Sequence, residues 1–192
     1  MSHETRRARE QADSALNAAQ ARADACKRQC LNTVAAGIPA AVDAAAKKIA
    51  QSQPDVTRQL GPEGVKALRE ELAAEAATLA EHVRAGTDKI EWPTQSGSWA
   101  TTVEPRQIHS ALFKYMYGRP INLVANVFGR HGYDVQRTPG RTEQGLLVPQ
   151  SLYVESSFDG VAAALTELGE ARRAQAKAKA DDDRDAVDEL WS

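Results

Sequence analysis

The chain has 192 residues and a formal net charge of -2, with 42% hydrophobic and only 5% aromatic residues. That length suits one principal core, because folded domains most often run about 100 to 150 residues, and scarce aromatics beside Ala-rich ends favour long solvated helices over a large interior. No stretch reaches the ~18 apolar residues of a membrane-crossing helix, and no apolar signal region follows Met1-Ser2-His3-Glu4, so a cytoplasmic protein with no membrane partner is expected.

The near-zero net charge hides segregation. Residues 105–150 carry six basic side chains (Arg106, Lys114, Arg119, Arg130, Arg137, Arg141) against Asp134 and Glu143, whereas residues 51–104 hold 5 basic and 9 acidic, and residues 151–192 hold 5 and 10. A local basic patch keeps its field over a Debye length of about 8 to 10 Å, so the segment matters more for partner choice than the total.

Residues 4–36 place Ala12, Ala15, Leu16, Ala19, Ala23, Cys26, Cys30 and Val34 on one helical seam. Such a seam permits close approach but buries little area, so this helix is expected to need a partner, and a homo-oligomer formed through it is expected. Cys26 and Cys30 share that face; two further metal ligands are lacking nearby, and packing as free thiols is the simpler reading. Gly37 and Pro39 are expected to interrupt the helix, which resumes through Val42, Ala45 and Ile49 until Pro54.

Gly61-Pro62-Glu63 marks a helix start, and Val65, Leu68, Leu72, Ala76, Leu79 and Val83 continue it toward Gly86 at spacings of three or four. Beyond it, alternation at Ile90 and Trp92 and again at Trp99, Thr101 and Val103, with turn residues between, predicts a short hairpin or a single strand. A helix follows from Pro105 to Tyr117. Gly118-Arg119-Pro120 breaks it, and a second helix to about His131 turns Ile121, Val124, Val127 and Phe128 inward and Asn122, Asn126 and Arg130 to another face. Strands are expected over 133–137 and 146–149 around a Thr138–Thr142 loop. The last helix starts near Ser157 and runs almost to the end, packing Phe158, Val161, Leu165 and Leu168. A solvated stretch to Ala180, the acidic run from Asp181 and a small apolar knob of Val187, Leu190 and Trp191 follow. That knob beside charges has the pattern of a docking peptide.

The order of helix, strand, helix, turn, helix, strand, loop, strand over roughly half the chain resembles a winged helix-turn-helix domain. The resemblance implies that the Pro120 helix is a recognition helix, with Arg119, Asn122, Asn126 and Arg130 toward duplex DNA, and that Arg137 and Arg141 of the wing meet phosphates. The expected fold is therefore mainly α with a small β component: an N-terminal Ala-rich helical segment (1–60), a winged-helix-like centre (61–156) and a C-terminal helix with an acidic tail (157–192).

Phosphate-cradling glycine patterns, a zincin helix and a Ser-x-x-Lys pair are missing. The four histidines are isolated in sequence, and His109 and Ser110, neighbours on a helix, point about 100° apart. The expected function is a DNA-binding regulator that is not an enzyme and uses no cofactor; the alternative is a helical adaptor that binds a protein partner through the middle domain and Val187, Leu190 and Trp191.

Overall fold

The computed structural model describes residues 3–52, 54–95, 102–133 and 155–191. Five α-helices make up most of it: α1 (His3–Ser52), α2 (Pro54–Arg84), α3 (Pro105–Met116), α4 (Arg119–Arg130) and α5 (Glu155–Trp191), with a 3-10 turn at Thr87–Lys89. The mainly α expectation holds.

At 50 residues, α1 is about 75 Å long. Pro39 does not interrupt it, contrary to the sequence expectation. Proline removes one backbone donor, but Val34, Ala35, Ile38, Val42 and Ala45 are buried on both sides of it, and their packing holds the helix while the Pro39 ring stays exposed. A break does occur at Gly61 inside α2, where φ is 63°. Positive φ suits glycine, and Pro62 and Glu63 restart the helix behind it, as the sequence indicated.

One hydrophobic cluster runs through all five helices, so the three sequence segments share a core. The carboxyl half of α1 packs on α2; α4 lies on α2 and α1, while α3 lies on α5. Phe128, Leu31, Ile38, Ile108, Met116 and Val83 are among the fully buried side chains. The amino half of α1 pairs antiparallel with α5: Arg22 meets Glu167, Gln20 meets Arg172, Asp13 meets Gln175 and Arg9 meets Asp182. Apart from Ala15, which is exposed, the Ala seam is thus covered within one chain by α5 and α2, which removes the physical reason for expecting the seam to need a second copy.

The hairpin expected at 90–103 does not form over the described part of it, and there is no strand among the described residues. Ile90 is buried in the cluster, and Trp92 Nε1 donates to Thr87 O at 2.9 Å, with Lys27 Nζ 5.8 Å from the ring centroid. Alternation there reflects one side chain turned into a helical core and another folded onto a turn. Backbone polarity is met by α5 instead of a strand partner: Val103 N donates to Thr166 Oγ1 at 2.9 Å. The strands expected at 133–137 and 146–149, the loop with Arg137 and Arg141, and Trp99 lie outside the described residues, apart from Tyr133, which is not in a strand.

Candidate functional site

α4 is built as the sequence indicated. Gly118 takes a left-handed conformation at its N-cap with φ 73°, Pro120 follows in the first turn, and Pro120, Val124, Val127 and Phe128 are buried. That inner face leaves Arg119, Asn122, Asn126 and Arg130 together on the exposed one.

The electrostatics differ from what the segment's composition suggested. Arg130 Nε lies 2.6 Å from a Glu71 oxygen and its Nη2 2.8 Å from Glu75, both on α2. These contacts, led by the hydrogen bond to Glu75, raise the guanidinium above its already high ordinary pKa. His131 Nε2 lies 2.7 Å from the other Glu71 oxygen. Lys114 pairs with Glu91 at 2.5 Å, and Arg106 pairs with Glu104. Arg119 has no carboxylate partner among the described residues: its Nε donates to Tyr115 O at 2.8 Å and its guanidinium stacks 4.4 Å over the Tyr115 ring. Three of the four described basic residues in the block are therefore compensated by acids, those of Arg130 brought in by α2. Sequence counting missed this because Glu71 and Glu75 lie more than 50 positions away from Arg130.

His109 stacks on Phe113 with centroids 6.4 Å apart and meets Phe158 edge-on, while Ser110 Oγ donates to Arg106 O. Cys30 is buried and Cys26 half-buried, and neither is in a disulfide. Among the described residues no three His, Cys, Asp or Glu side chains cluster to hold a metal, and no helix is long and apolar enough to cross a membrane.

The other candidate is the far end of α5. Ala171, Gln175, Ala178, Asp182 and Asp185, spaced four or three apart, turn toward α1 and are all at least half covered. Asp182 is only 2% exposed; one of its oxygens accepts from Arg9 at 2.8 Å, and Oδ1 has no hydrogen-bond partner. Asp182 and Asp185 of the acidic run thus belong to the α1–α5 seam, and the run is not a free tail. At 100° per residue, Val187 and Trp191 point roughly opposite to that seam and Leu190 sideways from it. They are 52%, 88% and 84% exposed, and with Tyr117 they are the exposed large apolar side chains of the described residues. α1 cannot cover them, since it lies on the wrong side of the helix.

Further back on α5, the segment after the 3-10 turn crosses the helix at Gly169. Gln95 Nε2 donates to Thr166 O at 3.1 Å, and a Cβ on Gly169 would sit 2.2 Å from Gln95 Oε1, so only glycine admits this crossing without moving Gln95. Beside the crossing is a cavity of about 390 Å³ lined by Pro93, Thr94, Leu165, Leu168, Gly169, Arg172 and Arg173. Mid-helix glycine was the one sequence sign of it.

No protein-family model, curated protein or solved structure matches this chain.

Proposed function

We propose that this protein is a non-enzymatic helical interaction protein whose α5 tip docks into an apolar groove of a protein surface. The supporting observation is the placement of Val187, Leu190 and Trp191: an i, i+3, i+4 set, exposed, and covered by no helix among the described residues. Large apolar side chains collected on one helical face are how amphipathic helices enter a groove. Asp183, Asp185, Asp188 and Glu189 surround the set, so the complementary groove is rimmed by basic residues.

The test is a photo-crosslinking amino acid in place of Leu190 in the full chain, activated in living cells. A discrete protein adduct that disappears when Val187→Asp is added is the expected result. A chain that gives no adduct, or one indifferent to Val187, contradicts the reading.

A second reading, duplex DNA binding through a winged-helix-like centre, keeps one supporting observation: Arg119, Asn122, Asn126 and Arg130 share an exposed face of α4. Four phosphate contacts, from Arg119, Arg130, Arg137 and Arg141, would give a slope of log K against log salt of about -3.6. Against it stands the pairing of Arg130 with Glu71 and Glu75, which would have to break or be carried into the DNA's negative field. Absence of binding at about 50 mM salt is the outcome expected here, since phosphate contacts act most strongly at low salt.

A further inference from the structure

The outer face of α5 runs through Gly169, Arg173, Ala176, Ala180, Asp183, Val187 and Trp191, residues three or four apart that lie within a narrow arc opposite α1. From Arg173 onward every one of them is exposed. Charge along this helix falls in two adjoining blocks. Residues 172–179 hold four basic side chains and no acid, and residues 181–189 hold six acids and one Arg. The blocks meet at Ala180.

Two such helices laid antiparallel, with Ala180 facing Ala180, bring the basic block of each alongside the acidic block of the other. The small side chains at Ala176 and Ala180 let the backbones approach. Steering by opposite blocks favours this register, because sliding the helices in either direction reduces the overlap of unlike charges. In this register Trp191 of one helix stands level with Gly169 of the other, since the two are equally far from Ala180. Gly169 marks the cavity. That cavity has an apolar lining from Pro93, Leu165 and Leu168, a rim of Arg172 and Arg173, and a volume of about 390 Å³, within the ~300–1,000 Å³ of small-ligand sites and ample for one indole. It is also the basic-rimmed apolar groove that the tip chemistry calls for. Within one chain Trp191 cannot reach it: 22 residue steps along a continuous helix hold the two about 33 Å apart.

From the two independent coincidences, charge register and tip-to-cavity spacing, we infer that the partner docked by the α5 tip is a second copy of this chain: two α5 helices pair antiparallel about a two-fold axis at Ala180, each placing Trp191 in the other's Gly169 cavity. The inference rests on the docking reading above and names its partner. An isologous pair of this kind fills both seats at once and leaves neither tip exposed, and the Arg173 guanidinium at the rim can lie on the indole face.

The experiment is sedimentation equilibrium of the full chain over a range of concentrations and salt. A dimer is expected, weakened by added salt. Trp191→Asp should raise its dissociation constant at least about thirtyfold, the effect of losing one anchoring residue, without changing helix content. Reversing Lys177 and Lys179 to Asp should weaken the dimer, and adding Asp181→Lys with Asp183→Lys to that variant should restore it. Ala180→Cys should give an oxidised chain–chain crosslink, whereas Ala174→Cys, some 120° around the helix, should not. A chain that is monomeric at every concentration overturns the inference, as does a dimer indifferent to Trp191 or to the charge reversals. If the monomeric chain still gives a Val187-dependent Leu190 adduct of another mass, the docking reading stands and only the second copy is wrong; loss of both removes the docking reading as well.

Discussion

At the bundle end of the molecule, Phe128, Leu31, Ile38, Ile108, Met116 and Val83 are each under 2% exposed and belong to one cluster. At the other end, α1 and α5 meet through Ala12, Ala171 and Ala178, with Leu16 as the one larger apolar side chain and polar pairs at Asp13–Gln175 and Arg9–Asp182. The two regions use the same helices and differ in what lies between them. Apolar burial contributes roughly 25 cal/mol per Å² removed from water, so large side chains hold the bundle, and the Ala seam adds little. The stalk depends more on register-specific polar contacts, which fix where α5 stands on α1 and thereby which of its faces is left outward. Buried polar groups are best attested as devices of that kind.

The comparison can be broken most severely in the bundle. Phe128→Ala should cost about 3 to 5 kcal/mol of global stability, by lost transfer energy and a cavity between close-packed helices. Leu16→Ala, in the half-covered stalk seam, should cost less than about 2 kcal/mol, because less area is lost and solvent can fill the gap. Chemical denaturation of both variants checks the ratio; equal losses would mean that the stalk is as firmly packed as the bundle.

Next in size is Arg9→Ala. It leaves the Asp182 carboxylate buried with its one observed hydrogen-bond partner gone, a loss the local structure can relieve only by opening. Trypsin cleavage at Lys177, Lys179 and Arg184 should accelerate several-fold, while the thermal midpoint of the bundle changes little. Replacing both Arg9 and Asp182 with Leu should restore resistance, which separates the uncompensated charge from simple loss of a contact.

The smallest effect concerns pH. Hydrogen bonding by Gln20, aided by Lys27, holds the Asp24 carboxyl below the usual carboxylate range, and Lys114 does the same for Glu91. Both groups stay ionised in the folded chain at pH values where the unfolded chain's carboxyls, near 4, have begun to protonate. Their contribution is therefore fully present above about pH 4 and is lost as pH falls through the lower folded values. It is small because both side chains face water. The thermal midpoint should drop in acid, and Asp24→Asn should flatten that drop; a steeper profile in the variant would reverse the assignment.

Much of the fold was legible in the sequence because it depends on local periodicity. The stripe from Val65 to Val83, the breaks at Gly61 and Gly118, and the inward set Val124, Val127 and Phe128 all announce themselves within a few turns, while Ile121, expected with that set, is only half-buried. What sequence reading missed was decided at long range. Pro39 was read as a helix break because its local cost is plain, whereas the buried neighbours that override it belong to packing with α2. Ile90 and Trp92 alternate as a strand would, but the Trp92 amide bonds back to Ile90 O, and farther along it is Thr166 of α5, not a strand, that accepts from Val103 N. The basic block at 105–150 looked available for phosphates until Glu71 and Glu75 arrived from another helix. Asp182 looked like one more solvated acid, though it sits in register with Ala171, Gln175 and Ala178 on the seam. The exposure of Val187, Leu190 and Trp191 was readable, because the solvated Ala and Lys stretch from Arg172 and the acidic run from Asp181 separate them from the apolar stripe that ends at Leu168.

The most direct measurement is site-resolved amide hydrogen exchange of the full chain, at a concentration low enough to keep it monomeric. Exchange reports local opening free energies element by element. The account predicts protection in the bundle, at Leu31–Val42, Leu68–Val83 and Val124–Phe128, that approaches the global unfolding free energy. Amides of residues 4–16 and 176–190 should open at a clearly lower free energy, and Arg9→Ala should lower it further. Equal protection in both regions would contradict the claim that α1 and α5 are held by different forces at their two ends.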